Sequence, residues 1–184
     1  KLELDLDFLL HGDNGPASKW ALNAKTNDTL EIAGPGPAKI APRNAIWYLF
    51  VGDMTALPAI AVNLEKLRSD ATGIALIEVM SPKDIQTLKT PSGLKIKWII
   101  NESPLKGCSN LINELFALAG ESNHPYAWIA GEFELMREAK KFLKGKMNLP
   151  KDLMYVSCYW KINEDNEGMR KAKALYESGQ TFGN

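Results

Sequence analysis

At 184 residues the chain can bury a substantial core, and it is short enough to hold one domain with a partial companion. Lysine plus arginine and aspartate plus glutamate each number 22, so the formal charge is zero and no net field favours nucleic acid or an anionic membrane surface. Two cysteines, Cys108 and Cys158, and two histidines, His11 and His124, argue against a disulfide scaffold, a structural zinc site or any metal site needing three histidines. A reducing, cytoplasmic setting is the expectation. No apolar run reaches the ~18 residues needed to cross a bilayer, and no signal-peptide pattern opens the sequence, so membrane insertion is not expected.

Leu2, Leu4, Leu6 and Phe8 alternate with Glu3, Asp5 and Asp7, the period of a strand with one wet face over Leu2 to Leu10. A turn, His11-Gly12-Asp13-Asn14-Gly15, then runs into a helix starting near Pro16, and Thr29 to Ala33 reads as a second short strand. Two strands and a short helix cannot bury a core alone, because each sheet edge stays open. They read as the tail of one nucleotide-holding domain, residues 1–43, closed by the Pro/Gly-rich stretch Gly34 to Pro42.

From residue 44 to 184 the pattern becomes alternating strands and helices. Ile46 to Val51 is nearly continuous apolar, as in a strand covered on both faces. Leu57, Ile60, Ala61, Leu64 and Leu67 then recur at helical spacing. Strands are predicted at Gly73 to Met80, Leu94 to Asn101, Tyr126 to Ala130 and Leu153 to Tyr159. Helices are predicted at Asn110 to Ala119 and Phe133 to Leu143, with a short one at Asp84 to Leu88 and a terminal one around Met169 to Leu175. The fold class is therefore α/β, a mostly parallel sheet built from crossover units.

Three segments carry candidate chemistry. At Gly15 to Trp20 a helix start would leave the N–H groups of Ala17, Ser18 and Lys19 available to a pyrophosphate, although an ordinary turn with a proline-started helix reads the same way. Gly52-Asp53-Met54-Thr55 follows the first sheet strand, where the next helix is expected to present N–H donors to a dinucleotide; Asp53 and Thr55 equally make an ordinary helix start. It is neither a Gly-x-Gly-x-x-Gly fingerprint nor a Walker loop. Ala130-Gly131-Glu132 repeats the design, with Gly131 permitting a nearby ring and Glu132 either capping the next helix or meeting a ribose hydroxyl. Glu78 reads as a ribose ligand or as a packed acid, Cys158 as a buried thiol, and His124 as structural or solvated.

The order of these segments resembles the siderophore-interacting protein family, flavin-dependent ferric-siderophore reductases related to ferredoxin reductases. The resemblance rests on Asp7-Phe8-Leu9-Leu10-His11-Gly12, Gly15-Pro16-Ala17-Ser18-Lys19-Trp20-Ala21, Gly52-Asp53-Met54-Thr55-Ala56-Leu57-Pro58-Ala59, Trp128-Ile129-Ala130-Gly131-Glu132 and Tyr159-Trp160-Lys161. It implies a flavin-binding β-barrel, here only its terminal part, followed by a parallel-sheet NAD(P)-binding lobe. It places FAD at His11, Gly12, Gly15, Ala17, Ser18 and Trp20, and the nicotinamide at Gly52, Asp53, Thr55, Gly131 and Glu132. It implies NADPH or NADH as electron donor, a ferric siderophore as substrate, and ferredoxin as an alternative partner. The sequence departs from the family pattern at Asn101, where an Arg often stands, and at Lys161-Ile162-Asn163. A general NAD(P)H:flavin or ferredoxin-linked oxidoreductase, and a non-redox nucleotide-binding module, are the competing readings.

Overall fold

The computed structural model describes residues 6, 8, 16–32, 37–120 and 124–179. The chain divides into two compact units, Lys1–Lys39 and Ile40–Asn184. In the first, helix α1 runs over Pro16–Asn23, with proline in the opening turn where its missing N–H costs nothing. The strand expected at Leu2 to Leu10 lies outside the described residues except for Leu6 and Phe8, neither of which is in a strand. Residues 29–32, expected as a strand, are not in one either. Their side chains are exposed, and β-propensity without a pairing neighbour does not make a ladder.

The second unit holds a sheet of five strands, all parallel: β1 (Tyr48–Gly52), β2 (Thr72–Val79), β3 (Gly93–Ile100), β4 (Tyr126–Glu132) and β5 (Met154–Trp160). Their spatial order is β3-β2-β1-β4-β5. Helix α2 (Leu57–Lys66) joins β1 to β2, α3 (Ser109–Ala117) joins β3 to β4, α4 (Phe133–Gly145) joins β4 to β5, and α5 (Asn166–Glu177) follows. The helix expected at Asp84 to Leu88 is instead one 3-10 turn at Pro82–Asp84. The Ser81 side chain accepts from Lys83 N and starts the turn early, and Ile85 is already extended, so nothing propagates.

Every strand residue of β1 is buried, and alternation sorts them between two cores. Tyr48 and Phe50 pack with Ile60 and Leu64 of α2 and with Ala75, Ile77 and Trp128. Leu49 and Val51 pack on the opposite face with Leu111 and Leu115 of α3 and Leu135 and Leu143 of α4. Each fully buried side chain of this size contributes roughly 1.5–3 kcal/mol by leaving water. A third small core joins Phe133 and Met136 of α4, Cys158 of β5 and Ala172 of α5. The segment entering β1 is fastened by Ala41 N donating to Asn63 Oδ1 at 2.7 Å, the Tyr48 hydroxyl donating to Pro42 O at 2.7 Å, and Arg43 Nε donating to Lys66 O at 3.3 Å.

Candidate functional site at the carboxyl edge of the sheet

Because β1 and β4 are neighbours while α2 and α4 leave them toward opposite faces, the strand order reverses between them. Open α/β sheets bind ligands in the crevice at such a switch point. Asp53 ends β1 there, and Gly131 and Glu132 end β4.

Asp53 is buried, and its carboxylate gathers donors from three strand ends. Oδ1 accepts from Thr55 N at 2.9 Å and from the Thr55 hydroxyl. Oδ2 accepts from Glu132 N at 2.9 Å and from the Trp160 indole Nε1 at 2.8 Å. These donors satisfy both oxygens of the buried carboxyl group. Gly131 makes the closure possible: a Cβ there would lie 2.6 Å from Asp53 Oδ2, and the φ of +151° is one that side-chain-bearing residues rarely adopt. A bulge between Gly131 and Glu132 re-aims the end of β4. At Gly52 an added Cβ would meet Ala56 Cβ at 2.6 Å and Ala130 O at 2.9 Å, so β1, α2 and β4 approach one another here as closely as backbones allow.

Glu132 is the N-cap of α4; its side chain accepts from Glu134 N, and Oε1 also accepts from Ile162 N at 3.2 Å. Burial pushes its carboxyl above the ordinary range against the pull of these donors. The structure thus brings Asp53, Thr55, Gly131 and Glu132 together, as the sequence suggested, but engages their polar groups with one another.

The start of α2 allowed two readings, free N–H donors for a dinucleotide or an ordinary helix start made by Asp53 and Thr55, and the hydrogen bonds are those of the second. Thr55 N donates to the Asp53 side chain, Ala56 N and Leu57 N donate to Asp53 O at 3.0 and 3.1 Å, and Pro58 has no N–H. Asp53 accepts through its side chain and through its backbone, as the residue that opens an ordinary helix start does.

Glu78, near the end of β2, is a packed acid. It is 3% exposed; Oε1 accepts from Asn101 Nδ2 at 3.0 Å, while Oε2 is buried without a partner. Burial, aided by the negative charge of Asp53, pushes its carboxyl up to about 7 against the stabilising Asn101 contact. Asn101 also donates to Gly107 O at 2.8 Å, tying the turn that leads into α3. Burial raises the thiols of Cys108 and Cys158 to about 12 and about 11, so neither is a thiolate nucleophile near neutrality. Cys158 Sγ donates to Trp160 O at 3.1 Å. Tyr159 is likewise pushed up to about 12, first by burial and then by Tyr155.

In the first unit His11, Gly12 and Gly15 lie outside the described residues. Ala17 is exposed, Ser18 is 3% exposed, and the Trp20 ring packs on Phe8 with centroids 5.7 Å apart. The first turn of α1 carries no acidic residue, in contrast to α4. His124 is exposed. No group of three or more histidine, cysteine or carboxylate side chains that could hold a metal exists among the described residues, and no helix among them is long and apolar enough to cross a membrane.

Sequence reasoning missed the bond from Trp160 to Asp53, which joins residues 107 apart and has no local signal. It also missed Asn63, whose polar side chain stands within the apolar stripe of α2 between Ile60 and Leu64 and was legible as an exception there.

Comparison with known proteins follows the same division. Residues 45–163 match the profile of the siderophore-interacting protein family, and residues 1–39 match that of the siderophore-interacting FAD-binding domain. The chain is 31% identical over 178 residues to the ferric vibriobactin reductase ViuB of Vibrio cholerae, covering 93% of this chain and 64% of that protein. It is 26% identical over 161 residues to the NADPH-dependent ferric-chelate reductase of Escherichia coli, covering 86% and 61%. The crystal structure of the siderophore-interacting protein SipS from Aeromonas hydrophila superposes with a TM-score of 0.80 at 32% identity, covering 93% of this chain and 67% of that one. The chain thus spans a little under two thirds of the length of these curated reductases. The expected fold class holds: an α/β nucleotide-binding lobe preceded by the terminal part of a flavin-binding barrel domain. Matched along most of its length by sequence and by structure, the chain belongs to the siderophore-interacting protein family.

Proposed function

We propose that the chain is part of a flavin-dependent reductase that passes electrons from NADPH or NADH through FAD to a ferric siderophore, releasing ferrous iron. The observation that carries this reading is the switch point, where Asp53 draws the ends of β1, β4 and β5 together over Gly131, in a chain whose first 39 residues match a FAD-binding domain. The names of the relatives support ferric chelates as the substrate class and NADPH as a donor.

The residues present fit both groups. The start of α1, with no acid in its first turn, with Ala17 exposed and with Lys19 beside it, suits the phosphates of FAD, and His11, Gly12, Gly15, Ser18 and Trp20 complete that proposed site. Gly52 and Gly131, whose missing side chains make room for Ala56 and for Asp53, let the ends of β1 and β4 close up beneath the surface proposed for the nicotinamide. Asp53, Thr55 and Glu132 position that surface. When bound, the flavin supplies the exchange between two-electron hydride chemistry and one-electron reduction of iron, which no side chain here performs. One hydride carries two electrons and so reduces two ferric centres. Ferrous iron holds hard oxygen ligands less firmly than ferric iron, which favours its release.

The test supplies the full chain with FAD, NADPH and ferric catecholate or hydroxamate chelates, and traps ferrous iron with a ferrous-specific chelator. Flavin absorbance on the protein and NADPH-dependent ferrous formation are expected. A chain that binds no flavin rejects the reading, and one that reduces flavin without reducing any ferric chelate is a general flavin oxidoreductase instead.

A further inference from the structure

The polar group least well served in the sheet is the Glu78 carboxyl. It is 3% exposed, and its Oε2 is buried with no hydrogen-bond partner. In the register of β1 with β2, Gly52 faces Ile77, so the next residue along each strand sets Asp53 beside Glu78. The surroundings offer no counter-charge: β1 brings Asp53, β3 the neutral Asn101, and the start of α3 the buried thiol of Cys108, which itself feels Glu132, Glu78 and Asp53. Burial, with Asp53 acting in the same direction, holds the proton on Glu78 against the pull of Asn101.

The same acid is joined to the connection between β3 and α3 by one side chain. Asn101 Nδ2 donates to Glu78 Oε1 at 3.0 Å and to Gly107 O at 2.8 Å, while Asn101 Oδ1 accepts from Ser103 N at 3.1 Å. One amide thus ties both ends of that connection to the acid. Within it, Lys106 N donates to Ser103 O at 2.9 Å and Gly107 N to Pro104 O at 3.2 Å, bonds that close a single 3-10 turn on itself. Glu102, Ser103, Leu105 and Lys106 are exposed, Leu105 to 59%. An ionised Glu78 needs water at Oε2, because a buried charge without a partner is costly. The cover that can yield is this exposed turn. We propose that residues 102–107 form a proton-linked flap at the carboxyl edge of the sheet, closed while Glu78 is protonated and opened by its ionisation, with Asn101 as the latch. The closed state holds the proton more tightly than the open, hydrated one, so opening releases a proton and gains as pH rises. Above the midpoint of the closed state neither form keeps the proton, and the gain levels off.

Cys108, buried directly after the flap, reports its opening, and Cys158, buried in β5, is the control. The full chain is labelled with a small methanethiosulfonate between about pH 5 and about pH 8, and the two labelling rates are read by mass spectrometry. Both reactions need a thiolate, so the ratio of the Cys108 rate to the Cys158 rate isolates the flap. In the wild type this ratio is expected to rise roughly tenfold or more and to level off at the midpoint of the Glu78 carboxyl, followed by carboxyl-carbon NMR. In Glu78→Gln it is expected to stay constant. A flat ratio in the wild type overturns the proposal, as does a rise that continues past the Glu78 midpoint or one that persists in the variant. The carboxyl titration needs no substitution, so the wild-type ratio and midpoint decide the matter even where the variant does not fold.

Discussion

Two single residues at the carboxyl edge each have a distinct signature. Gly131 is where a side chain cannot fit: in Gly131→Ala the new Cβ would fall 2.6 Å from Asp53 Oδ2 at a φ of +151°. The methyl displaces Asp53 from Glu132 N and Trp160 Nε1. A loss of roughly 2–4 kcal/mol in urea unfolding is expected, together with a shift in tryptophan emission as the indole loses its acceptor. Glu78 signals through pH. Its carboxyl is raised from 4.5 to about 7 in the folded protein, so the folded state binds more protons than the unfolded chain between those values. Stability therefore falls as pH rises through this window, and the cost is complete above it, on the order of 2 kcal/mol once partial solvent screening is allowed for. Glu78→Gln keeps an oxygen for Asn101 and removes the titration. The melting temperature of the wild type is expected to drop relative to the variant from pH 4.5 to about 7 and to run parallel outside it. Parallel curves throughout would show that folding leaves the proton affinity of the Glu78 carboxyl unchanged.

At the scale of elements, α2 does two jobs with one face. Leu57, Ile60 and Leu64 fill the core beneath it, while Asn63 in the same stripe accepts from Ala41 N and donates to Ala59 O at 2.9 Å. The residues just before β1 thereby become part of the second unit. Asn63→Ala leaves a buried N–H at Ala41 without this acceptor, at a cost of roughly 1–3 kcal/mol. Hydrogen exchange at Ala41 is expected to accelerate well beyond the change at Ala75 in the sheet core. The helices on the other face behave differently, because α4 brings its own acids, Glu132 as cap and Glu134 in the first turn. A capping acid was readable from the sequence; that Asp53 would take the next donor along was not, since the two lie 79 residues apart.

Among the described residues, the division into Lys1–Lys39 and Ile40–Asn184 places all five strands, and the cores on both faces of the sheet, in the second unit. A fragment spanning 40–184 is expected to unfold in one cooperative transition with the circular dichroism of a parallel α/β sheet, and to bind no FAD. Non-cooperative melting would show that the first unit is needed to complete the core.

Sequence periodicity by itself determined the five strands and the α-helices of the second unit, though not the short 3-10 turn at Pro82–Asp84. A run such as Tyr48 to Val51 can be buried on both faces only in a parallel sheet covered by helices, and the three- and four-residue spacing of Leu57, Ile60 and Leu64 can face that sheet only as a helix. The ordered motifs also determined the family. Only the tertiary structure decided which partner each polar group at the strand ends would take. The strand order brings Asp53, Glu132 and Trp160 to one point from distant parts of the chain. A buried carboxylate takes the nearest donors once it is there, whether or not a ligand would have used them.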